Sequence, residues 1–241
     1  MKLITLMFIL SSILMASIGN ITSFKGSVSI DRGTQKIIGK LNLPIEKNDI
    51  ISTKKDSNVI IKFQDNTIIT VGKDSILNIQ EYLYDEKTTS NSKTQFNFLK
   101  GTFKSVTGAI GHINPNKFKL KTKSANIGIR GTVTLGNQSI IACTKGAISV
   151  EAKKASVNLE AGEYVDLTKT TISSPQKLTI EVLNLLNNAL GVSTKSKTDN
   201  GNESTLQVVS TMLEKDAESK QSRDSGGGSA GGDSGGGGHG D

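Results

Sequence analysis

Side chains able to carry out covalent or acid–base chemistry are scarce in this chain of 241 residues. The histidines are His112 and His239, and the one cysteine is Cys143. A hydrolytic nucleophile needs a base within hydrogen-bond reach, and a zinc site needs several His or Cys ligands at close spacing. Neither set can be assembled here. His112 lies in Ile110-Gly111-His112-Ile113-Asn114-Pro115 and reads as a residue of a Gly- and Pro-flanked loop facing solvent. Cys143 ends Ile140-Ile141-Ala142-Cys143 and reads as a small core residue with no second thiol to pair with. No acidic pair stands in an apolar setting, as glycosidic carboxylates would. Gly128-Ile129-Arg130-Gly131 is followed by no helix start and so is not a phosphate loop. The expectation is a protein that is not an enzyme and holds no cofactor or metal.

The segment most open to a binding role is Arg130-Gly131-Thr132. An arginine fork holds a carboxylate or phosphate through two parallel hydrogen bonds. Strand alternation puts Arg130 and Thr132 on the same face. In a cleft Arg130 would clamp an anion; in the interior it would pair with Asp49 or Asp65, and the interior ion pair is the expected arrangement. The formal charge is +7, carried almost wholly by lysine, with Arg32, Arg130 and Arg223 the only arginines and no tryptophan. Bidentate base reading and base stacking are therefore poorly served, so nucleic acid is not expected as a partner. A lysine-rich surface suits anionic glycans, lipopolysaccharide or acidic protein.

Period-two runs position these residues. Val59, Ile61 and Phe63, then Thr67, Ile69 and Val71, flank Asp65-Asn66, a hairpin signal because both turn residues tolerate the left-handed conformation. The same pattern recurs at Phe96–Phe103 around Lys100-Gly101, at Phe118–Thr122, at Ile127–Leu135, after Lys145-Gly146, and around Ala161-Gly162. It predicts an all-β sandwich or roll of about ten short, mostly antiparallel strands. Ser173-Ser174-Pro175 and Gly191 then bracket a helix whose apolar side is Leu178, Val182, Leu185, Leu186 and Ala189, and Glu203–Lys220 is a second helical candidate.

The ends read differently. Residues 1–19 combine Lys2, a short apolar run and the small residues Ala16, Ser17 and Gly19, which predicts a secretory signal peptide with cleavage after Gly19. No membrane span is expected once it is removed. Residues 221–241 are Gly, Ser and Asp with little else, which predicts a disordered tail. The domain plan is thus a signal peptide at 1–19, a β domain at 20–170, a helical segment at 171–220 and the tail. The product is expected in the periplasm or outside the cell.

The β region resembles the FecR domain family. Gly26-Ser27-Val28-Ser29-Ile30, Asn48-Asp49-Ile50-Ile51-Ser52-Thr53 and Phe63-Gln64-Asp65-Asn66-Thr67 stand where the family has Gly-x-Val-x-Val, Gly-Asp-x-Ile-x-Thr and Phe-x-Asp-Gly-Ser. The most specific segment is Thr122-Lys123-Ser124-Ala125-Asn126-Ile127-Gly128-Ile129-Arg130-Gly131-Thr132, similar to Thr-x-x-Ala-x-x-x-Val-Arg-Gly-Thr. Asn48 and Asn66 replace family glycines, a change a left-handed turn tolerates. The resemblance implies a periplasmic or secreted, sensory or ligand-binding module with a protein or glycan partner in the bacterial envelope, its oligomeric state undefined. The best-known members carry a cytoplasmic sigma-factor-binding segment and a transmembrane helix, in whose place this sequence reads as a signal peptide. A structural or surface-assembly role using the tail and helices is the alternative.

Overall fold

The computed structural model describes residues 17–191. Their strands are β1 (Gly19–Lys25), β2 (Val28–Arg32), β3 (Gln35–Ile38), β4 (Pro44–Ile45), β5 (Ile50–Thr53), β6 (Asn58–Phe63), β7 (Ile68–Val71) and β8 (Ile76–Leu83). They continue as β9 (Lys93–Lys100), β10 (Phe103–Val106), β11 (Phe118–Thr122), β12 (Asn126–Gly136), β13 (Ile140–Ala152), β14 (Ala155–Glu160), β15 (Glu163–Asp166) and β16 (Gln176–Lys177). A short helix α1 (Ala109–Ile113) precedes β11, and α2 (Ile180–Leu190) follows β16.

All sixteen strands belong to one curled sheet rather than to two stacked ones. The main path runs β3-β2-β5-β8-β9-β11-β12-β10-β7-β6-β1-β4, and β13 leaves it beside β12 to carry β14 and β15. The pairing is antiparallel apart from β9 with β11. The count exceeds the expected ten in part because β3, β4 and β16 are four, two and two residues long, too short for alternation to register. The hairpin at Asp65-Asn66 is present, with Asn66 at φ 64° and Val59 opposite Val71. Lys100-Gly101 is not a hairpin turn, however. It is a corner: β9 pairs with β8 and β11, whereas β10 pairs with β7 and β12.

The curl closes over a core in which Phe63, Phe96, Phe98, Phe103 and Phe118 are almost wholly buried among isoleucines. Phe98 stacks on Phe103 with ring centroids 3.8 Å apart, and Phe63 packs on Phe96 at 4.8 Å. The sheet thus buries its strands' inner sides against one another, the main stabilising term of such a fold.

The C-terminal helix begins later than Ser173-Pro175 suggested. Gln176–Lys177 pairs as β16 with β15, and the cap is Thr179, whose hydroxyl accepts the Val182 N–H. Its stop is as expected: Gly191 sits at φ 72°. The buried stripe is Leu183, Leu186 and Leu190, with Leu185 exposed, one step round from the anticipated one. The helix is anchored through Lys73 N–H to Ala189 O (2.9 Å) and Asn58 Nδ2 to Leu190 O (3.0 Å). At the other end, Ile18 is buried and donates its N–H to Ile45 O at 2.9 Å, and Gly19 opens β1, so the boundary drawn after Gly19 falls inside a strand. Residues 1–16, the second helical candidate and the Gly-rich tail lie outside the described residues.

Candidate binding groove

Asp49, Asp65, Arg130, Gly131 and Thr132 do not gather at one place. Asp49 is completely buried just before β5 and is taken by Arg32: Nε meets Oδ1 at 2.8 Å and Nη2 meets Oδ2 at 2.7 Å. The Arg32 fork also donates to Glu46 at 2.5 Å and to the Pro44 carbonyl, so its hydrogen-bonding directions are largely filled. That hydrogen bond to Asp49 raises the guanidinium's pKa further above its ordinary value. The result is a rivet that ties the end of β2 to the loop before β5.

Asp65 is a second interior node, and among the described residues no cation pairs with it. Its carboxylate accepts the Tyr82 hydroxyl (2.9 Å), the Thr67 N–H (3.1 Å) and hydroxyl (2.8 Å), and the Ile110 N–H (3.2 Å). Its backbone carbonyl accepts the Ala109 N–H at 2.7 Å. These bonds create α1, where the sequence suggested a loop. The backbone of Gly108 lies against the Asp65–Thr67 turn so closely that a Cβ there would collide with backbone atoms. Burial, and then the charge of Asp65, push the Tyr82 hydroxyl well above its ordinary pKa.

Arg130 pairs with neither acid. It is exposed on the outer face of β12, and no ion pair among the described residues holds it. Thr132, expected on the same face, is buried. The reason is a bulge: Arg130 faces Ala147 and Val133 faces Lys145, leaving Gly131 and Thr132 opposite the single residue Gly146. Gly131 (φ 60°) and Gly146 (φ 75°) supply the bend, so Lys145-Gly146 is a kink within β13 rather than a turn. Inside, the Thr132 hydroxyl lies 3.3 Å from that of Thr107 and 3.4 Å from that of Thr134. Outside, the His112 ring of α1 rests on Gly131, where a Cβ would come within 2.9 Å of it.

What Arg130 joins instead is an open groove of about 530 Å³ on the outer faces of β11 to β14. Register builds it in rungs: Lys121, Asn126, Glu151 and Ser156; then Lys119, Gly128, Ser149 and Asn158; then Arg130, Ala147 and Glu160. Cationic side chains from β11 and β12 form one wall, Glu151 and Glu160 stand towards the other, and Gly128, Ala147 and Ser149 keep the floor low. Such a surface offers directed donors and acceptors to an extended polar ligand, with a free bidentate fork for an anionic group. Sequence reasoning picked out Arg130 but not this company. Its signal was the alternation of polar residues on four consecutive strands, which becomes a site only once register is known.

Cys143 is buried, as expected, and its thiol lies 3.4 Å from the carbonyls of Lys145 and Gly146. Burial pushes its pKa up to about 12, so at neutral pH it stays a thiol. Among the described residues no group of three or more His, Cys, Asp or Glu is placed to hold a metal ion.

Residues 49–149, from the Asp49 rivet to the groove floor at Ser149, match the family model described as FecR protein. Two crystal structures of a candidate anti-sigma factor from Parabacteroides distasonis ATCC 8503 are similar at 12% identity, with TM-scores of 0.42 and 0.43. The likeness covers 53% of this chain, which spans 59% of the length of each relative. A cell surface anchoring domain is 35% identical over 25% of this chain and 82% of its own, with a TM-score of 0.25. No curated protein sequence matches the chain.

Proposed function

From the FecR domain at residues 49–149, we propose that this chain is an exported, non-enzymatic binding module that serves sensing or signalling in the bacterial envelope. Its ligand is an extended polar segment of a protein or glycan partner, seated on the β11–β14 groove with an anionic group on Arg130. The observation that carries this reading is the free Arg130 fork beside Lys119 and Lys121 in a low-floored groove. Arg32, by contrast, is engaged by its own chain. The basic, apolar start of the sequence supports export, and no helix among the described residues is long and apolar enough to cross a membrane.

Site-specific photocrosslinking in living cells tests both parts. A crosslinker at Ser149 should capture one defined partner from the envelope fraction, and capture should fall sharply in Arg130→Ser. A crosslinker at exposed Lys55, away from the groove, should capture nothing specific. Equal capture from both positions, or recovery of the protein in the cytoplasm, would overturn the reading.

A further inference from the structure

We propose that the free edge of β14 is self-complementary and pairs antiparallel with β14 of a second copy of this chain, extending the sheet across a two-fold axis. This does not depend on what the groove binds. Among the described residues β14 pairs with β13 alone. The hairpin joining them turns at Lys153-Lys154, with φ of 52° and 63°. A two-residue turn with both residues left-handed is the I′ type, which fixes the flanking Ala152 and Ala155 as a hydrogen-bonded pair. Ala155, Val157 and Leu159 therefore aim their N–H and C=O groups at β13. Ser156 and Asn158 aim theirs outward from the sheet edge, and both residues are exposed. The next outward N–H, that of Glu160, is already taken by the Glu163 carboxylate at 2.8 Å, which ends the open stretch.

Short length guards the other sheet margins: β4 and β16 have two residues each and β3 has four. The six residues of β14 carry no proline, bulge or charge between Ala155 and Leu159. The sequence of the edge instead complements its own reverse, lysine at one end and glutamate at the other with Ser156 and Asn158 flanking Val157. An antiparallel pair centred on Val157 sets Ser156 opposite Asn158 of the second copy, and Asn158 opposite its Ser156, so the outward groups of both meet as hydrogen-bonded pairs. The same register sets Lys154 opposite Glu160 of the second copy at both ends, and half-buried Val157 opposite its own counterpart. Opposite charges on facing positions, repeated by symmetry, are what an isologous interface requires. The strained Lys153-Lys154 turn, where Asn-Gly would be the easy choice, presents Lys154 at the end of this edge. Since Ser156 and Asn158 also line the groove, pairing would join the polar faces of two molecules into one.

Sedimentation velocity on the full chain, from about 10 µM to about 1 mM where small interfaces act, should show a monomer giving way to a dimer. Lys154→Glu and Glu160→Lys each place like charges opposite one another and should each weaken the dimer by about tenfold or more. The double exchange Lys154→Glu/Glu160→Lys should restore it, which separates lost pairing from lost folding. Asn158→Pro, which removes an outward N–H, should abolish it, and amide exchange at Ser156 and Asn158 should slow as concentration rises. A chain that stays monomeric throughout, or a dimer indifferent to the single reversals or unrestored by the double exchange, overturns the proposal.

Discussion

The interior polar nodes and the outer groove are both built from charged and hydrogen-bonding side chains and behave in opposite ways. At Asp49 and Asp65 each carboxylate is fully buried and surrounded by donors from its own chain. In the groove most of the charges are exposed, and Arg130 has no partner of opposite charge among the described residues. Burial makes the difference. A buried charge or donor left unpaired carries its full desolvation penalty, so the interior nodes must be complete in the folded chain itself. A solvated charge carries almost none, so the groove can remain open until a ligand arrives. Polar residues that hold the fold together can thus be told from those available for binding by asking which are already satisfied.

That comparison can be broken most severely at Asp65. Asp65→Ala strands the Tyr82 and Thr67 hydroxyls and the Ile110 N–H inside the molecule, and is expected to cost about 3–5 kcal/mol. Urea denaturation read by far-ultraviolet circular dichroism should show this as a large fall in midpoint at nearly constant slope. Asp49→Ala should rank second, at about 2–4 kcal/mol, because the abandoned Arg32 side chain is 20% exposed and water can reach it. Arg130→Ala should move the same midpoint by no more than about 0.5 kcal/mol, as an exposed substitution that breaks no interior contact. An Arg130→Ala loss as large as that of Asp49→Ala would erase the distinction between the two regions.

How much of this could be read from the residues alone varied with the range of the forces involved. The Asp65-Asn66 hairpin was legible because the turn residues and both alternating runs lie within one short window. The Gly191 stop was legible for the same reason. Helix α1 was not: five residues have little helical tendency of their own, and its first N–H groups are held by Asp65, more than forty positions earlier. Strict alternation placed Thr132 beside Arg130, and the bulge at Gly131 turned it inward, since one inserted residue reverses every side chain beyond it. The expected pairing of Arg130 with Asp49 or Asp65 failed because Arg32 already holds Asp49, and Asp65 is satisfied by neutral donors. The groove needed the register of four strands before its rungs existed at all.

The position of β12 has a consequence for the order in which this molecule can be made. On the main path it lies between β11 and β10, so among the described residues the strand pairing that joins β3-β2-β5-β8-β9-β11 to β10-β7-β6-β1-β4 runs only through residues 126–136. A chain that has emerged only as far as Ser124 holds two half-sheets, each with a bare strand at the seam, and a core open along that line. Every strand up to β11 can have found its other neighbours, yet the seam waits on one later segment, the kind of distant pairing that slows folding. Strand β12 is therefore the keystone of assembly. The bend at Gly131 belongs to that task as much as to the groove, because a single strand has to pair with β11 through residues 126–128 and with β10 through residues 133–136, with Arg130 between the two stretches. Truncation before Asn126 would leave a chain whose two bare edges invite association with each other or with neighbouring molecules.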